Sequence, residues 1–164
     1  MTKLIVLDVD GCLSDGKLIY HTDAQESKNF NVKDGLGISS WIKLGNHVAI
    51  ITGKTSPMVQ KRALELGITH LFQGVKDKDN VMLNIINELN LKNHEVAAIG
   101  DDLNDYNMLR VAGRSFTPSD GVDYIKDAVN TVLSRKGGDG AVREMIEILI
   151  KDNNQYDEYL GLWI

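Results

Sequence analysis

Aspartates cluster in this 164-residue sequence where aliphatic runs stop. Lys3-Leu-Ile-Val-Leu-Asp8-Val-Asp10-Gly11-Cys12 places two carboxylates two residues apart, followed by glycine. Neighbouring carboxylates repel, so the pair needs a cation or a shared proton. A hard, oxygen-seeking ion such as Mg²⁺ meets that need. A second aliphatic run closes in Thr52-Gly53-Lys54, and a third in Gly100-Asp101-Asp102 with Asp105 one helical turn on. Lys78 opens an amphipathic stretch between them. Taken singly, Asp-Val-Asp-Gly is a polar turn, Thr52 a strand-end residue, Lys78 a solvated lysine and Asp105 an early-helix acid. Their convergence gives them meaning.

That convergence requires a particular set of elements. The run through Leu7 is apolar without alternation, the pattern of a strand buried on both faces of a parallel sheet. His47 to Ile51, Thr69 to Phe72, Glu95 to Ile99, Ser115 to Thr117 and Thr131 to Leu133 read as further strands. Helical stretches separate them: Gly35 to Leu44 capped by Asp34, Pro57 to Leu66, Asp77 to Leu91, Leu103 to Val111, Val122 to Asp127 and Ala141 to Ile150. This alternation predicts an α/β fold, a Rossmann-like parallel sheet with helices on both faces. Ligands in such sheets bind at the carboxyl ends of the strands, the edge where the aspartates, Thr52 and Lys78 fall. A β-hairpin flap is expected at about 17–32, inserted after strand one and able to cover the crevice. Residues 1–150 read as one domain and 151–164 as a C-terminal tail, either disordered or docked into an adjacent site through its aromatics.

A net charge of −5 argues against nucleic acid as a partner. No apolar stretch reaches membrane-spanning length, and one cysteine, Cys12, permits no internal disulfide, so a cytoplasmic protein is expected. Cys12 itself suits packing more than chemistry.

With these pieces in view, the sequence resembles the haloacid dehalogenase phosphatase superfamily, through Asp8-Val-Asp-Gly, Ile51-Thr-Gly, Lys78 and Gly100-Asp-Asp-Leu-Asn-Asp105 in that order. Phe30-Asn-Val-Lys-Asp-Gly-Leu-Gly37, Gly67-Ile-Thr-His-Leu-Phe-Gln-Gly74 and Gly137-Gly-Asp-Gly-Ala-Val-Arg-Glu144 are similar to the phosphatases of 3-deoxy-D-manno-octulosonate 8-phosphate (KDO 8-phosphate). The similarity runs from about Lys3 to Ile150. It is shared with phosphatases for the nine-carbon analogues of that sugar acid.

The resemblance implies a Mg²⁺-dependent phosphatase without a cap domain, acting in lipopolysaccharide biosynthesis. Asp8 would be the nucleophile, Asp10 the proton donor and water activator, and Asp8, the Asp10 carbonyl and Asp101 the metal ligands. Thr52, Lys78 and the amides near Gly11 and Gly53 would hold the phosphate, with Asp102 and Asp105 supporting. The segment Asn31-Val32-Lys33-Asp34-Gly35, with Lys54 and Arg62, would contact the sugar acid. Two positions depart from the family pattern: lysine at 54 where arginine is commoner, and Ser39 where arginine is frequent. A homotetramer is implied, each site completed by a neighbouring subunit; an open monomer is the alternative. A phosphoacceptor signalling domain of the receiver type also uses Asp, Thr, Lys and Mg²⁺, but its phosphorylated aspartate follows the third strand. A silent assembly subunit would not need the intact set.

Overall fold

The computed structural model describes residues 1–164. Its centre is a six-stranded sheet in the order β5-β4-β1-β6-β7-β8, every neighbouring pair parallel. The strands are β1 (Leu4–Leu7), β4 (His47–Ile51), β5 (His70–Phe72), β6 (Val96–Ile99), β7 (Arg114–Thr117) and β8 (Thr131–Val132). The chain builds outward from β1 through β4 to β5, then crosses back to β6 and builds the other way. The order reverses between β1 and β6, the position where open α/β sheets hold their ligands. Leu7 lies beside Ile50 on one side and Ile99 on the other, so Asp8, Thr52 and Asp101 all leave the sheet at one edge.

Apolar residues on both faces of β1 bury two separate cores. Ile5 and Leu7 face α1 (Val32–Lys43), α2 (Pro57–Leu66), α6 (Ala141–Asp152) and α7 (Tyr156–Gly161). Leu4 and Val6 face α3 (Lys78–Glu88), α4 (Tyr106–Val111) and α5 (Asp123–Ala128). All four β1 residues are fully buried, each contributing about 1.5–3 kcal/mol by leaving water. That anchors the position of Asp8 from behind.

Several local expectations give way to tertiary context. α1 begins at Val32, three residues before the predicted start, because the Asn31 side chain accepts from the Lys33 N–H and caps it. Asp34 is therefore inside the helix and not its cap. The segment predicted as a flap at 17–32 pairs only over β2 (Ile19–Tyr20) and β3 (Glu26–Ser27), in antiparallel register. Its return arm instead runs along the turn after β1, with Phe30 bridging Ser14. The tail holds one more helix, α7, whose Tyr159 is buried in the first core; six residues are too few to show a helical period.

Candidate active site

The chain leaves β1 in a five-residue turn, Val9–Leu13, closed by the Ser14 N–H donating to the Val9 carbonyl. Gly11 sits there at φ +95°, and a Cβ on it would stand 2.1 Å from Asp101 Oδ2. Across the turn, a Cβ on Gly137 would fall 1.7 Å from the Gly11 carbonyl oxygen. The glycines let the turn after β1 close against Asp101 on one side and the Gly137 backbone on the other.

Asp8 is almost wholly buried at that point. Lys78, the first residue of α3, reaches it with Nζ 2.6 Å from Asp8 Oδ1. The same ammonium donates at 2.6 Å to Asp105 Oδ1. Lys78 and Asp105 side chains are 2% and 0% exposed, so the triad lies out of bulk water. The other oxygen of Asp105 accepts from the Asp101 and Asp102 amides at 3.0 and 3.4 Å. Asp105 thus fixes both Lys78 and the loop that carries Asp101. Asp102 is exposed and accepts from the Leu103 N–H. Thr52 is buried at the end of β4, with Gly53 and Lys54 exposed beyond it.

One lysine does not neutralise these acids. Burial, then the charge of Asp105, push the Asp8 carboxyl up to about 8 against the pull of Lys78. Burial, then Asp105 and Asp102, raise Asp101 to about 7. Burial works against the Lys78 charge, but the Asp8 and Asp105 carboxylates overcome it and raise its pKa. A cavity that disfavours its own anions is built for a further cation. Donor atoms of Asp8, Asp101 and Cys12 lie within 4.8 Å of one another. Burial, then the nearby aspartates, raise the Cys12 pKa well above its ordinary value. With that thiol kept protonated, the effective donors are carboxylate oxygens, and the set fits a hard dication such as Mg²⁺.

Comparison with known proteins agrees with this chemistry. The haloacid dehalogenase-like hydrolase family profile matches residues 70–146. The KDO 8-phosphate phosphatase of Haemophilus influenzae is 36% identical over 149 residues, covering 91% of this chain and 83% of that protein. That of Escherichia coli K12 is 37% identical over 159 residues, covering 97% and 85%. The chain belongs to the KDO 8-phosphate phosphatase family. The family's crystal structure from Moraxella catarrhalis, a complex with magnesium ion, phosphate ion and KDO, superposes with a TM-score of 0.96 at 39% identity, over 99% of this chain and 94% of that one. This KDO 8-phosphate phosphatase family member is accordingly a phosphoric monoester hydrolase.

The residues expected to contact the sugar acid divide. Val32, Lys33, Gly35 and Arg62 line one groove of about 480 Å³, joined by Ser39, which the sequence singled out, and by Trp163 of the tail. Arg62 packs closely on the start of α1: its Nη2 donates to the Asn31 carbonyl at 3.4 Å, and a Cβ on Gly35 would be 2.3 Å from it. Lys54 lies outside that groove.

Asp34 is placed differently. It is 0% exposed, and its Oδ1 accepts from the Arg143 N–H at 2.8 Å. Arg143 is the third residue of α6, whose own cap, Gly140, has no side chain. Asp34 caps α6 from another helix, a pairing between residues 109 apart that local sequence does not announce. Burial raises its pKa against the pull of the Arg143 and Gly140 amides. Asp34→Ala should therefore lower stability by about 1–2 kcal/mol, read as a fall in the urea midpoint, with kcat/KM largely retained. A normal midpoint with lost turnover would return Asp34 to the substrate.

Proposed function

We propose that this chain hydrolyses KDO 8-phosphate to KDO and inorganic phosphate through an aspartyl phosphate, with Mg²⁺, in the cytoplasm and in the service of lipopolysaccharide synthesis. The observation that carries the reading is the Asp8–Lys78–Asp105 triad at the sheet's switch point, facing Asp101. In the first step an Asp8 carboxylate oxygen attacks phosphorus, and the bond from phosphorus to the sugar oxygen breaks. Asp10 gives its proton to the departing alkoxide. In the second step Asp10 takes a proton from water as the water oxygen attacks phosphorus, and the bond to Asp8 breaks.

Nucleophile and phosphate are both anionic, and unit charges 4 Å apart repel by up to about 4 kcal/mol at an effective dielectric near 20. Lys78 offsets part of this. Asp8, the Asp10 carbonyl and Asp101 would hold Mg²⁺, which supplies the remaining positive charge when bound. Thr52 and the amides near Gly11 and Gly53 suit the phosphate oxygens, and Asp102 would hold waters of the bound metal. Asn31, Val32, Lys33, Gly35, Lys54 and Arg62 suit the sugar acid, the two cations Lys54 and Arg62 its carboxylate. Residues 1–150 form the phosphatase domain, with 151–164 attached to it through α7. Leu18, Tyr20 and Val32 are exposed apolar groups around the short hairpin, which supports a homotetramer in which a neighbour covers each site.

Phosphate release with Mg²⁺ should favour KDO 8-phosphate over its nine-carbon analogue and simple sugar phosphates by about a hundredfold in kcat/KM, near 2.7 kcal/mol, and should stop in EDTA. Equal rates on all substrates would leave the phosphatase and discard this substrate. Light scattering on the eluting protein should give four copies per particle; a single copy would discard the shared site.

A further inference from the structure

We propose that Lys28 is a positioning residue for Asp10, aiming its carboxyl for both proton transfers. Lys28 Nζ donates to Asp10 Oδ1 at 2.5 Å, and the lysine side chain is 2% exposed. Asp10 is its one carboxylate partner, and a lysine this buried is paired for a reason. The ammonium occupies Oδ1 and leaves Oδ2 without a protein partner, and Asp10 remains 24% exposed on the open side. One oxygen is held; the other is free to exchange a proton.

The lysine is itself fixed. Lys28, Asn29 and Phe30 each engage the turn after β1. Asn29 Nδ2 donates to Asp15 Oδ2 at 2.8 Å, and Phe30 bridges Ser14. The return arm of the hairpin is thereby fastened along the turn that carries Asp10. Without Lys28 the Asp10 side chain keeps its backbone position but loses the contact that selects its rotamer. A misaimed acid or base loses much of its contribution, which is about 10²–10⁴-fold when fully aligned.

The inference rests on Asp10 as the group that moves protons, so Asp10→Asn is measured beside it. Lys28→Met should lower kcat on KDO 8-phosphate by about thirtyfold or more while KM stays within about threefold. Lys28→Arg, which keeps a cation at this place, should recover most of the loss. With p-nitrophenyl phosphate the leaving group needs no proton, so only water activation is impaired. Lys28→Met should then release p-nitrophenol in a burst approaching one equivalent per site, followed by slow turnover. On the Asp10→Asn background the lysine substitution should add nothing. An unchanged kcat, a loss carried by KM, equal slowing of both phases without a burst, or a full additional loss in the double variant would each overturn the inference. Where Asp10→Asn is impaired, any of these removes Lys28 alone; an active Asp10→Asn removes the reading of Asp10 with it.

Discussion

Asp8→Asn should abolish turnover, by more than about 10⁴-fold, and should leave the fold intact. Asparagine keeps the shape and one oxygen but has no anionic oxygen to attack phosphorus. The side chain sits at the end of a strand whose four residues are fully buried, so its amide has nowhere else to go. Turnover within tenfold of the parent, measured as phosphate release, would remove Asp8 as nucleophile. The same substitution carries a second expectation in the metal-free protein. The folded state holds the Asp8 proton up to about pH 8, whereas the unfolded chain releases it near the ordinary 3.8. The folded state therefore binds more protons across that window, and its stability from this group is full below about pH 4 and falls as the pH rises towards 8. Asparagine does not titrate. Thermal unfolding in EDTA should show a flatter pH dependence for Asp8→Asn than for the parent, with the largest gain at the alkaline end. A variant less stable than the parent at pH 8 would mean that the Asp8 charge is welcome there, and that the cavity is not built around a missing cation.

How much of this was legible from the sequence depends on the range of the contact involved. Asp8, Thr52 and Asp101 announce themselves because each follows an aliphatic strand, and a parallel sheet brings such ends to one edge whatever else the chain does. Lys78 follows from its place at the head of α3, but its two carboxylate partners lie 70 and 27 residues away. Nothing local distinguishes it from the exposed lysines around it. Asp34 as a cap for α1 fails for the same reason in reverse. An acid at this position looks like a local helix cap, and only the packing of α1 on α6 turns it towards Arg143. Lys28 had no signal at all: it lies in a polar stretch between short strands, and its value comes from the return arm lying along the Asp10 turn. The tail was opaque because α7 is held by burial of Tyr159 and by Trp163 Nε1 donating to Ser40 Oγ, 123 residues back in the chain. The hydrophobic pattern fixes which strands form and where they end. The polar contacts that tune the site form between elements distant in sequence.

Lys78→Met tests that tuning most severely. Methionine fills the space of the lysine stem but leaves Asp8 and Asp105 buried without their shared cation. Removing one partner of a buried ion pair costs about 3–5 kcal/mol, unless the stranded acid escapes by taking a proton. That escape sets the sign of the pH dependence. With the lysine present Asp8 already titrates at about 8, and without it the group moves higher still. At pH 5 the folded protein holds Asp8 neutral in either case, so the loss there comes mainly from Asp105. At pH 9 the parent's Asp8 is largely ionised and paired, and the variant must either ionise it unpaired or keep a proton that the unfolded chain has shed. Lys78 itself adds no slope between these values, since it is charged in both states below its ordinary 10.5. The stability difference between parent and Lys78→Met, from urea unfolding in EDTA, should therefore widen as the pH rises from 5 to 9. Turnover should fall by about 10³-fold, because the transferring phosphoryl group loses a fixed positive charge and Asp8 spends more of its time protonated. A uniform loss across pH would mean that Lys78 merely packs. A small loss of activity would mean that the dication alone carries the charge, and that the triad serves the fold before it serves the chemistry.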